Sequence, residues 1–97
     1  MTKSDVIKVL VADDHAVVRQ GIKQILSKTP DLSVVDEAEN GNEVLVKVKA
    51  CAPDVVVMDI EMPVKIGWEV LPQLKSLYPK LPIIILSIHS EDMYGIR

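Results

Sequence analysis

Apolar and polar positions along the chain switch repeatedly between two spacings. Ile7–Ala12 (IKVLVA) is almost unbroken in Val, Ile and Leu, as expected of a strand covered on both faces. Val18, Ile22, Ile25 and Leu26 then recur at i, i+4, i+7 and i+8, which lays out one face of a helix. Thr29-Pro30-Asp31 ends that helix, because proline cannot continue it. Leu32–Ala38 reads as a second strand whose more polar end suits a place nearer a sheet edge. Asn40-Gly41-Asn42-Glu43 sets a cap acceptor three residues ahead of a glutamate, the spacing of a capping box. The helix it opens carries Val44, Leu45 and Val48 on one side, with Pro53 beyond its end. Residues 55–58 (VVVM) predict a third strand. Residues 67–78 predict a third helix with Val70, Leu71, Leu74 and Leu77 as its apolar face. Pro72 inside that pattern predicts a place in the first turn or a kink. Ile83–Leu86 is a fourth strand and the most hydrophobic, and a further helix is expected from Ser90.

Strands alternating with helices imply right-handed crossovers and a mostly parallel sheet with helices on both faces. The expected architecture is a doubly wound α/β fold. With 97 residues, one domain spanning 1–97 is the expectation. The core must be aliphatic, since hydrophobic residues make up 48% of the chain while aromatics are 3% and Phe is absent. A net charge of −3 without a basic stripe argues against direct nucleic-acid binding. A single cysteine, Cys51, excludes an internal disulfide framework and fits a reducing compartment. No apolar run reaches the roughly 18 residues that suggest a membrane span, and no apolar signal region follows Met1. The expected location is cytoplasmic.

Chemistry enters with three carboxylates at strand ends. Asp13 and Asp14 follow the first strand and Asp59 follows the third. Open α/β sheets bind ligands beyond the carboxyl ends of their strands, where strand order reverses. In a flavodoxin-like order, 2-1-3-4 followed by a fifth strand, that point lies between the first and third strands, so the carboxylates converge on one crevice. At an effective dielectric near 20, each close pair of like charges costs about 4 kcal/mol at 4 Å. Either protons are retained or a cation neutralises the cluster. A hard divalent ion held by one or two carboxylates and several waters suits Mg²⁺, and Asp59 could then form an acyl phosphate as nucleophile. Taken singly, Asp14 reads as a helix cap and Asp59 as a turn residue. Two acidic sites at adjacent strand ends favour the functional reading. Ser87, at the end of the fourth strand, faces the same crevice on this topology, although alone it reads as a turn residue. His15 and Cys51 read as a first-turn or capping residue and a small apolar residue.

With these residues in place, the chain resembles the receiver domain of bacterial two-component response regulators. It is most similar to the NarL/FixJ-type subgroup, which is usually fused to a helix-turn-helix DNA-binding domain. The resemblance rests on Val9-Leu10-Val11-Ala12-Asp13-Asp14-His15, on Glu37-Ala38-Glu39-Asn40-Gly41, and on residues 53–63, PDVVVMDIEMP. It implies that Asp59 accepts a phosphoryl group from a sensor histidine kinase. It implies too that Asp14, Asp59 and the backbone carbonyl of Glu61 bind Mg²⁺ with Asp13 in support, and that Ser87 is the switch hydroxyl. Such a domain is a switch rather than an enzyme, and it would reach DNA only through an output domain not present in these residues. The loop Val64-Lys65-Ile66-Gly67 departs from the family pattern, in which an aspartate precedes the glycine. The family's fifth strand and helix have no counterpart, so the domain is expected to be C-terminally incomplete. Ile83–Leu86 would then be an uncovered edge, and self-association of this fragment is expected. Two other readings stay open: a phosphatase with an aspartyl nucleophile, and a receiver that folds but is never phosphorylated.

Overall fold

The computed structural model describes residues 6–59 and 67–86. Four parallel strands, β1 (Ile7–Ala12), β2 (Leu32–Ala38), β3 (Val55–Asp59) and β4 (Ile83–Leu86), form one sheet in the order β2-β1-β3-β4. The helices α1 (Ala16–Ser27), α2 (Gly41–Cys51) and α3 (Gly67–Leu77) connect them in turn. This is the flavodoxin-like order expected for the described strands, with β2 at an edge. The further helix from Ser90 and the lack of a fifth strand lie outside the described residues.

The side-chain alternation of the strands sorts them onto two faces. Leu10, Ala12, Val56 and Met58 join Val44, Val48, Val70 and Leu74 in one buried cluster, so α2 and α3 cover that face. Leu45, Leu71, Tyr78 and Ile83 pack at its margin. Val9 and Val11 point to the other face, which carries α1, and they too are buried.

Helix ends follow the local chemistry. Asn40 caps α2 by accepting from the Glu43 N–H at 2.9 Å, and Glu43 reaches back to accept from the Glu39 N–H at 3.0 Å. The second half of the box thus falls one residue earlier than the usual pattern. The C-cap, Ala52, takes a left-handed conformation (φ 46°, ψ 59°), and Pro53 follows. At the far end of the sheet from the acidic residues, Lys8 and Asp54 clasp β1 to β3. The Lys8 N–H donates to Asp54 Oδ2 at 2.8 Å, and the Asp54 N–H donates to the Lys8 carbonyl at 2.7 Å.

Several expectations need correction. β3 continues through Asp59, so the third carboxylate ends the strand rather than following it. Of the two alternatives for Pro72, a first-turn place or a kink, the first does not hold, since it lies in the second turn of α3; it is exposed, and its missing N–H leaves one bond of the helical ladder unmade. Leu77 is 63% exposed, and Tyr78, one residue past the helix, packs on the core in its place. Ile25 is 67% exposed. The half-buried side of α1 carries Val18, Ile22 and Leu26 as expected, together with Arg19 and Lys23, which bond Glu37 on β2.

Candidate metal centre

The crevice is built by register. β1 pairs with β3 with Ala12 opposite Met58, so the next residues, Asp13 and Asp59, emerge side by side at the carboxyl end of the sheet. The Asp13 N–H extends the ladder to the Ala38 carbonyl at 2.9 Å. Asp13 is fully buried and Asp59 is 1% exposed, whereas the Asp14 side chain is 26% exposed. Burial of charged carboxylates demands compensation by partners or a cation.

Part of that compensation comes from His15. It is the N-cap of α1, but its side chain makes no capping bond. His15 thus takes the capping position read from the sequence, which Asp14 does not, but without bonding the helix through its side chain. His15 instead folds back on the acids. Its N–H donates to Asp13 Oδ1 at 2.8 Å, and its Nδ1 lies 3.0 Å from the same oxygen and 3.0 Å from Asp14 Oδ1. The first contact is a hydrogen bond. The second is close enough for an ion pair but out of line for a hydrogen bond, so Asp14 Oδ1 is buried without a hydrogen-bond partner. The bond to Asp13, then the charge of Asp14, raise the imidazole pKa above its ordinary 6.5.

Asp13 Oδ2 is likewise buried with no hydrogen-bond partner. Asp13, Asp14, His15 and Asp59 each present a ligand atom, and these atoms lie within 4.8 Å of one another. An orphaned buried carboxylate oxygen inside such a set is what a divalent cation would satisfy. The donors fit a bound metal.

A second polar layer supports the first. Arg19 Nη1 donates to the Asp13 backbone carbonyl at 2.6 Å while its Nε donates to Glu37 Oε1 at 2.8 Å. Lys23 Nζ donates to Glu37 Oε2 at 2.6 Å. The Lys23 bond, then that of Arg19, hold the Glu37 carboxyl below the usual range. Sequence reasoning missed Arg19, because a charged helix residue reads as solvated. The available signal was its position beside Val18 and four residues before Lys23, on the side facing the polar end of β2.

A family model described as the response regulator receiver domain matches residues 9–97. The chain belongs to this family. Among relatives, it is 38% identical over 88 residues to the transcriptional regulatory protein DegU of Brevibacillus brevis, covering 91% of this chain and 37% of that protein. It is 52% identical over 86 residues to a protein-glutamate methylesterase/protein-glutamine glutaminase of Halalkalibacterium halodurans, covering 89% of this chain and 25% of the relative. The chain therefore spans well under half the length of either protein. Among solved structures, the signal receiver domain of the NarL response regulator from Mycobacterium tuberculosis superposes with a TM-score of 0.78 at 34% identity, covering 88% of this chain and 68% of that one. As a response regulator receiver, the chain places the acids of its first and third motifs in one crevice. Glu61 and Ser87, the other two site residues expected from the sequence, lie outside the described residues. Among the described residues no helix is long and apolar enough to cross a membrane.

Proposed function

We propose that this receiver is a phosphorylation switch in which Asp59 is the acceptor and Asp14, Asp59 and the Glu61 carbonyl hold Mg²⁺ with Asp13 in support. The observation that carries the reading is the buried Asp59 beside Asp13, whose Oδ2 has no hydrogen-bond partner. An Asp59 carboxylate oxygen forms a bond to phosphorus as the phosphorus–nitrogen bond of a sensor kinase's phosphohistidine breaks. The bonding pair leaves with the imidazole nitrogen. A bound Mg²⁺ supplies positive charge against the incoming phosphoryl oxygens. Asp13 orients the site through its bonds to His15 and its backbone contact with Arg19. Ser87 would bond the phosphoryl group once it is in place.

On this reading the domain does not turn over a substrate; it works in the cytoplasm and reaches DNA through an attached output domain. DegU, a transcriptional regulator, supports that output. The methylesterase relative supports a second reading, in which a similar receiver governs an enzymatic domain. The test is labelling with a small acyl-phosphate donor. Wild type should take up one phosphoryl group only with a divalent ion, and Asp59→Asn should take up none. Labelling that survives the substitution, or proceeds in a chelator, removes Asp59 from this role.

A further inference from the structure

We propose that Arg19 is a positioning residue for the metal centre: its guanidinium ties the Asp13–Asp14 peptide to Glu37 on β2, so that cation affinity depends on two residues outside the donor set. The inference rests on the metal-centre reading above and deepens it. Asp13 and Asp14 are consecutive, so one planar peptide group sets the direction in which the second carboxylate leaves the strand relative to the first. The oxygen of that peptide is the Asp13 carbonyl, which accepts from Arg19 Nη1 at 2.6 Å. The preceding peptide is held as well, by the Asp13 N–H on the Ala38 carbonyl at 2.9 Å. Arg19 Nε donates to Glu37 Oε1 at 2.8 Å. Because the guanidinium is planar, both bonds belong to one rigid plate. Glu37 is anchored in turn by its place opposite Val11 in the ladder and by Lys23 Nζ on its other oxygen at 2.6 Å. Neither Arg19 nor Glu37 is among Asp13, Asp14, His15 and Asp59, the residues whose ligand atoms converge. A binding constellation tolerates only about 0.5 Å of displacement, so freeing the plate should be felt at the metal.

Two plainer roles lead to different outcomes. As a bare positive charge beside the acids, Arg19 would repel a cation, and its removal would tighten binding. As an ion pair that only fastens α1 to β2, it would be matched by Lys23, which reaches the same carboxylate from the same helix. The bond to the Asp13 carbonyl is what sets Arg19 apart. Glu37→Gln separates geometry from charge, since the amide oxygen can still accept from Arg19 Nε while the negative charge is gone.

The experiment is a Mg²⁺ titration of the 97-residue chain, followed by amide NMR shifts without a phosphodonor, with thermal unfolding as the measure of stability. Arg19→Ala and Glu37→Ala should each weaken Mg²⁺ binding by about tenfold or more, the lower end of what losing a partner behind a ligand costs. Glu37→Gln should bind close to wild type, although it loses the same charge as Glu37→Ala. Lys23→Ala should lose stability but little affinity. If Arg19→Ala does not fold, Arg19→Lys takes its place with the same expected loss, because lysine keeps the charge but not the planar fork. Affinity unchanged or tightened in the Arg19 variant overturns the proposal and leaves the metal-centre reading intact. So does Glu37→Gln as weak as Glu37→Ala, which would mark an effect of charge, or Lys23→Ala as weak as the Arg19 variant, which would mark the fastening of α1. Failure of wild type to bind Mg²⁺ overturns both.

Discussion

Ala52 holds a left-handed conformation that alanine reaches at a cost of about 1 kcal/mol or more, because its Cβ crowds the neighbouring carbonyl. Glycine lacks that crowding, so Ala52→Gly should stabilise the domain by about 0.5–1 kcal/mol after the extra entropy of its unfolded chain is subtracted. Urea unfolding should show a raised midpoint with an unchanged slope. Arg19 is 16% exposed and Glu37 32%, so their pair is only partly screened. Removing it by Arg19→Ala should cost about 1–2 kcal/mol at neutral pH. The Glu37 carboxyl is held below its ordinary value of 4.5 by Lys23 and then Arg19. Its contribution is thus complete above that value and lost as pH falls through the lowered folded one. Asp36 behaves alike, held down first by the Glu37 N–H. The stability gap between Arg19→Ala and wild type should narrow in acid without closing, since Arg19 also bonds the Asp13 carbonyl. Parallel denaturations at neutral and acid pH check it.

Element positions were legible because period and punctuation agreed. Continuous Val and Ile runs gave β1, β3 and β4, and Asn40 with Glu43 marked the start of α2. Which residue of a helical face is truly covered was less legible. Leu74 and Leu77 share one predicted stripe on α3, yet Leu74 is fully buried and Leu77 is 63% exposed. The stripe runs to the end of the helix while the core does not, and periodicity carries no information about where a neighbour stops. Leu74→Ala should therefore cost about 2–5 kcal/mol, whereas Leu77→Ala should stay within about 0.5 kcal/mol, both read from thermal or urea unfolding. The acidic site was legible for a different reason: parallel topology alone brings the ends of β1 and β3 together. His15 was not, because its role depends on a backbone angle that sends it away from the helix it caps.

Across the whole molecule, cover is uneven. On the face of α2 and α3, the row Leu10, Val56, Ile83 runs from buried to half-buried, with Ile83 against the core. On the face of α1, the row Val11, Val57, Ile84 runs from fully buried through half-buried to 52% exposed. Among the described residues, β4 is also the last strand on its side. An aliphatic edge without a charge invites a second chain. The 97-residue chain should sediment as a species heavier than monomer at micromolar concentration, and Ile84→Lys should shift it towards monomer. A wild type that stays monomeric would show that this edge is protected.

The clasp between Lys8 and Asp54 has a consequence for the opposite end of the sheet. Parallel strands can in principle slide, and a shift of one residue turns every side chain to the other face. Asp54 lies five residues before Asp59, about 16 Å along an extended strand. By fixing both the N–H and the carbonyl of Lys8, it works as an indexing pin. The alignment of Asp13 with Asp59 is set where no chemistry takes place, and the distance between two repelling charges is imposed by the sheet rather than chosen by the charges.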